Sequence, residues 1–140
     1  MARHEKIYNL FISHSWAYGD QYDGLIRLLN QGDIKYRDYS VPKGDPIHNA
    51  KNDKELYDAI KKQVSPSSVV IILAGVYASY SKWIDKEIKI AKTEFATAKP
   101  ILAVEYWGAE RTSRVVKENA DKIVKWQTSS IVNAIKDLCK

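Results

Sequence analysis

The chain has 140 residues and a mass of 16.0 kDa, 45% hydrophobic and 28% charged, which suits one domain with its own core and excludes a disordered chain. Its formal charge of +5 is dispersed, with Lys61-Lys62 the one adjacent basic pair, as on a solvated surface rather than in a nucleic-acid groove. Cys139 has no second cysteine for a disulfide, no stretch approaches the roughly 20 apolar residues of a membrane span, and Met1–Lys6 lead straight into a strand, so the expectation is a single cytoplasmic domain over residues 1–140, without nucleic-acid or membrane partners.

Ile7–Ile12 is rich in β-formers and predicts a first strand, followed by the polar, aromatic loop Ser13-His14-Ser15-Trp16. Asp20–Asn30 carries Tyr22, Leu25, Ile26, Leu28 and Leu29 at helical spacing, with Gly32 as the expected stop. Ile34–Tyr39 alternates as a short, polar edge strand would. Ser40–Lys51 contains Pro42, Gly44 and Pro46 without a periodic apolar anchor and is expected to be a mobile loop. Asn52 or Asp53 caps a helix that runs to about Val64, with Leu56, Ile60 and Val64 four apart, and Ser65-Pro66-Ser67 ends it.

The most apolar run, Ser68–Gly75, predicts a central strand. In the helix that follows, Ile84, Ile88, Ala91 and Phe95 form a stripe for packing on a sheet, and Trp83 and Glu87 make an i,i+4 pair beside it. Ile101–Trp107 predicts a fourth strand, Thr112–Asn119 a short helix and Ile123–Trp126 a weak fifth strand. A last helix, capped by Ser129 or Ser130, carries Ile131, Ile135 and Leu138.

Strands alternating with helices through short connections predict an α/β fold: a doubly wound, flavodoxin-like, five-stranded parallel sheet of order 2-1-3-4-5. The switch point of that order lies between strands one and three. Ser13–Trp16, Ala74-Gly75 and the start of the Glu87 helix then converge on one crevice, with Asp38 and Tyr39 on its rim. By itself a glutamate near a helix start is favoured by the macrodipole and is most often solvated. The loop after strand one has neither glycine-rich phosphate pattern, no GxSxG elbow occurs, and His4, His14 and His48 lie in separate segments without metal spacing. A receiver-type phosphoacceptor site is excluded by residue type, because the ends of strands one and three read Ser-His-Ser and Ala-Gly.

Tyr8–Ser15 resembles the opening strand of Toll/interleukin-1 receptor (TIR) domains, and Ser81–Ile88 resembles the tryptophan-x-x-x-glutamate helix of NAD-cleaving TIR domains. The likeness covers the order of the five strands over roughly residues 6–138, and the loop after strand two stands where that family has its BB loop. TIR domains more often have aspartate-x-serine after strand one. Here the histidine comes first, as in the TIR-like proteins of bacterial anti-phage systems of the Thoeris type.

The resemblance implies that Glu87 is the catalytic carboxylate of an enzyme that breaks the nicotinamide–ribose bond of NAD, with NAD as substrate and no cofactor or metal. It places Ser13, His14 and Ser15 near ribose or phosphate, Trp16, Tyr39 or Trp83 as stacking partners, and Asp38 and Gly75 among the substrate-binding residues. The ADP-ribosyl product would be hydrolysed, cyclised or joined to another acceptor, giving a signal nucleotide for a separate effector protein. Self-association through residues 40–51 is also implied. Two other readings of the same chain are a non-catalytic TIR-like adaptor that works by self-association and a small-ligand sensor on a flavodoxin-like fold.

Overall fold

The computed structural model of the chain describes residues 6–13, 19–39, 53–74, 82–105 and 114–139. The expected elements occur there in the expected order: β1 (Ile7–Ser13), α1 (Gly19–Asn30), β2 (Lys35–Asp38), α2 (Asp53–Val64), β3 (Val69–Ala74), α3 (Lys82–Thr93), β4 (Ile101–Glu105), α4 (Arg114–Asn119), β5 (Lys122–Lys125) and α5 (Thr128–Leu138). The loop expected over Ser40–Lys51 and the expected last residues of strand four, Tyr106 and Trp107, lie outside the described residues.

The strands form one parallel sheet of order β2-β1-β3-β4-β5, as expected. β1 and β3 are direct neighbours, with Leu10 opposite Val69 and Ser13 opposite Ile72. Strand residues alternate between two cores. Leu10, Ile12, Val69, Ile71, Leu102 and Val104 pack with Leu25 and Leu29 of α1 and with Ile131, Val132 and Ile135 of α5. Phe11, Val70, Ile72, Ile101 and Ala103 face the other way, onto Ile60 and Val64 of α2, Ile88, Ile90 and Ala91 of α3, and Val116 of α4. A strand covered on both faces must be apolar at every position, and this is why β3 and β4 read as unbroken runs. Each large side chain so enclosed contributes about 1.5–3 kcal/mol. The edge strands differ: β2 exposes Lys35, Arg37 and Asp38, charges that discourage a further strand from pairing there.

Tertiary contacts correct one local expectation and give another, the helix stop at Gly32, its physical reason. The serine cap of α5 is absent. The helix starts at Thr128, after an extended Gln127 (φ −144°, ψ 138°) whose side chain makes no capping bond. The Thr128 hydroxyl instead donates to the Leu28 carbonyl at 2.8 Å, fastening the start of α5 to the end of α1. Gly32 does follow the end of α1, its N–H reaching the Leu29 carbonyl at 3.1 Å, but its backbone is not left-handed. What requires glycine is close approach: an added Cβ would stand 2.7 Å from Val132 Cγ2 and 2.9 Å from Thr128 Cγ2.

Helices α2 and α3 are joined by a polar clasp. The Tyr57 hydroxyl donates to Glu94 Oε2 at 2.5 Å, Lys61 Nζ lies 3.0 Å from Glu94 Oε1, and the Lys89 ammonium stands 5.9 Å from the centre of the Tyr57 ring. Just below, Lys99 Nζ donates to the carbonyls of Ser65 (2.9 Å) and Ser67 (2.6 Å) and lies 4.8 Å from the Phe95 ring centre. The Tyr57 hydroxyl first, and then Lys61, hold the Glu94 carboxyl below the usual carboxylate range.

Gly32→Ala is expected to destabilise the protein by about 1–3 kcal/mol, because α5 must retreat or Val132 leave its rotamer. A urea melt that gives a lowered midpoint would agree, and an unchanged midpoint would refute the close-approach explanation. For Glu94, a folded pKa below the ordinary value of 4.5 means stability that is present above that pH and lost as pH falls through the folded pKa. Glu94→Gln should therefore remove part of the drop in melting temperature on acidification below about pH 4.5. Parallel pH profiles for the variant and the parent would contradict the clasp.

Candidate functional site

Ser13 ends β1 level with Ile72, and Ala74 ends β3 level with Glu105 of β4. Beyond Ser13 the chain leads to α1 on one face of the sheet; beyond Ala74 it leads to α3 on the other. Connections that leave neighbouring parallel strands for opposite faces mark the switch point, where open α/β sheets bind ligands outside the carboxyl ends of the strands. Asp38 pairs with Leu10, and the Tyr39 N–H donates to the Leu10 carbonyl at 2.8 Å. The exposed Asp38 is thus three residues short of the level of Ser13, roughly 10 Å along the strand. It lies on the edge-strand side of β1.

α3 carries the central feature. Trp83 is its second residue and Glu87 lies in its second turn, about 7.5 Å along the axis from Lys82. Glu87 is only 1% exposed. The solvated role that most helical glutamates have is ruled out by that burial. Glu87 also lies within the covered face of the helix rather than beside the apolar stripe, in line with Ile88, Ile90 and Ala91, which pack on Phe11, Val70 and Ile72. Helical geometry accounts for the difference: Glu87 lies between Ile90 and Ala91 around the helix, and the buried residues 90, 87, 91 and 88 together cover an arc of about 160°, wider than the apolar stripe alone.

Among the described residues, the buried polar side chains are Ser67 and Glu87. Ser67 is accounted for locally, its hydroxyl donating to the Val64 carbonyl at 2.6 Å. Glu87 takes part in interactions of its own, yet its Oε2 is fully enclosed and accepts no hydrogen bond from a described residue. Removing a carboxylate from water costs several kcal/mol before compensation, and a leucine here would extend the stripe at no such cost. A residue that breaks the local packing rule at a ligand-binding switch point is where chemistry is to be sought.

The backbone brings Ser13, the end of β3 and the first turns of α3 to the same end of the sheet. His14, Ser15, Trp16 and Gly75 lie outside the described residues. No group of three or more His, Cys, Asp or Glu side chains gathers as a metal cluster among the described residues, and no helix there is long and apolar enough to cross a membrane.

A protein-family model described as "Thoeris protein ThsB, TIR-like domain" matches residues 11–111. The chain belongs to this family. The match runs from Phe11 in β1 past Glu105 at the end of β4, so the switch point and all of α3 fall inside the shared part of this TIR-like domain, while α4, β5 and α5 lie beyond it. No curated protein matches the chain. The sheet order and the membership together identify a Thoeris-associated TIR-like protein on a flavodoxin-like fold.

Enclosure of Glu87 has a direct consequence for labelling. Carbodiimide coupling of an amine to surface carboxylates in the native TIR-like domain should modify the exposed Glu55 and Glu118 and spare Glu87, as read by peptide mass spectrometry. Equal labelling of Glu87 would contradict its position.

Proposed function

We propose that this TIR-like domain cleaves the nicotinamide–ribose bond of NAD, with Glu87 as the catalytic carboxylate. The observation that carries the reading is a carboxylate buried to 1% exposure in the second turn of α3, beside the switch point of the sheet.

One carboxylate suffices for this reaction. An ordinary glycosidase protonates its leaving oxygen with a second carboxyl group, whereas nicotinamide departs from a pyridinium. The bond from ribose C1′ to nitrogen breaks with its electron pair going to the ring nitrogen, nicotinamide leaves neutral, and positive charge develops on the ribose. A preorganised negative charge in a site shielded from water stabilises that charge most effectively. Water then adds to C1′ and loses a proton, giving ADP-ribose; capture by a ring nitrogen or another acceptor would give a cyclic or conjugated product. Ser13, His14 and Ser15 are assigned to ribose or phosphate, Trp16, Tyr39 and Trp83 to stacking, and Asp38 and Gly75 to the walls of the site.

A carboxylate this enclosed meets a ribose only when its surroundings rearrange, so in this reading an opening step precedes chemistry. Residues 40–51 would order on ligand binding or self-association. The product would serve as a signal for a nucleotide-sensing effector protein in anti-phage defence, in keeping with membership of a Thoeris family.

Glu87→Gln keeps size and hydrogen-bonding capacity and removes the charge. The expected outcome is a hundred- to thousandfold loss of nicotinamide release, about 3–4 kcal/mol of barrier, with the variant still folded by circular dichroism. The comparison uses the full chain, pure and in cells, where NAD depletion reports turnover. A folded variant within a few-fold of wild type would overturn the assignment and leave the adaptor role as the better reading.

A further inference from the structure

Glu87 and Glu94 are seven residues apart, two turns of helix, so they lie on the same side of α3 about 10 Å apart along its axis. Glu94 continues the helical path, its N–H donating to the Ile90 carbonyl at 3.0 Å. Its carboxylate is held from two sides by α2, with Tyr57 Oη on one oxygen at 2.5 Å and Lys61 Nζ on the other at 3.0 Å. Tyr57 and Lys61 are four residues apart and adjacent on α2, so the grip is two-pronged and resists rotation as well as sliding. The same foot of α3 is fixed a second time: the Lys99 N–H donates to the Ala91 carbonyl at 2.8 Å, while its ammonium is bound to the Ser65 and Ser67 carbonyls that lead into β3.

Above this foot, the apolar inward contacts of α3 among the described residues are made by Ile88, Ile90 and Ala91. Apolar contacts set how close a helix lies but set its rotation and axial position only loosely, because dispersion is not directional. A rotation of about 20° moves a side-chain tip on a helix of about 5–6 Å radius by about 2 Å. A misplacement of about 1 Å at a reacting group can cost on the order of a hundredfold in rate.

We infer that Tyr57 and Glu94 are positioning residues: their clasp fixes the rotation and axial position of α3 and thereby aims the Glu87 carboxylate at the ribose. The inference rests on the NAD-cleaving role given to Glu87. Neither Tyr57 nor Glu94 touches substrate, and the contact leaves binding groups elsewhere in the site unchanged. Its loss should therefore appear in kcat and spare KM.

The test compares Tyr57→Phe, Glu94→Gln and the double variant in the full chain, with Glu87→Gln alongside, by steady-state nicotinamide release per folded protein and by hydrogen exchange of the backbone amides from Glu87 to Ala91 in the free protein. Each single variant is expected to lower kcat about tenfold with KM within threefold of wild type. The double variant should lose at least as much as the worse single one, because Tyr57→Phe removes one prong of the grip and Glu94→Gln weakens both. Exchange at Glu87–Ala91 should rise at least threefold while that of β1 and β4 stays unchanged, a signature that general loss of stability would not give. Loss of turnover in Glu87→Gln together with wild-type kcat in folded Tyr57→Phe and Glu94→Gln overturns the inference and leaves the catalytic reading standing. Retained turnover in Glu87→Gln overturns the catalytic reading and this inference with it. Unchanged exchange at Glu87–Ala91 in all three clasp variants also overturns the inference, whatever the kinetics.

Discussion

Two strands buried on both faces and laid parallel at the middle of the sheet, β1 and β3, are the constraint on which the remaining structure depends. Parallel neighbours cannot be joined by a hairpin, so the chain must cross over, and each crossover supplies a helix that covers one face. Because β1 leads away to one edge and β3 to the other, the two crossovers lie on opposite faces, and the strand ends between them are left for a ligand. The register that sets Ser13 opposite Ile72 fixes that point, and α3 starts beside it.

At this point packing and function pull against each other. The inward face of α3 is built of Ile88, Ile90 and Ala91, and at Glu87 the same face carries a carboxylate instead. A buried carboxyl group is tolerated only when hydrogen bonds or charges compensate for lost water, and Glu87, enclosed among core residues, takes part in such interactions. In the proposed reaction, a carboxylate held in place there would need no reorganisation when positive charge develops next to it. Two turns below, the polar contacts of Tyr57, Lys61 and Lys99 add directional hold to the non-directional apolar contacts of Ile88, Ile90 and Ala91.

Much of this was legible in the sequence, for physical reasons that can be named. The run Val69–Ala74 is apolar at every position because both of its faces are covered, and a central strand follows directly. The stripe on α3 and the polar edge strand β2 are likewise period effects within one element. The resemblance carried by Tyr8–Ser15 and Ser81–Ile88 pointed to the family whose model matches residues 11–111. What escaped notice depends on partners far away in the chain. Gly32 is glycine because of Thr128 and Val132, the cap of α5 gives way to a bond between Thr128 and Leu28, and the Tyr57–Glu94 contact joins residues 37 apart. The burial of Glu87 was missed for a related reason: periodicity locates the centre of a buried arc and leaves its width to the neighbouring helix, here α2. Of the candidate site, Ser13, Asp38, Tyr39, Trp83 and Glu87 fall on described residues, at or near the carboxyl ends of β1, β2 and β3.

The central claim is that the enclosed carboxylate of Glu87 is the group that meets the nicotinamide ribose. It is tested most directly by a structure of the protein bound to a carbocyclic NAD analogue that cannot be cleaved. The account requires the carbon that replaces C1′ to lie within about 3–4 Å of a Glu87 carboxylate oxygen, over the ends of β1 and β3. An analogue bound at another place on the molecule, or one whose nicotinamide end points away from α3, would contradict it.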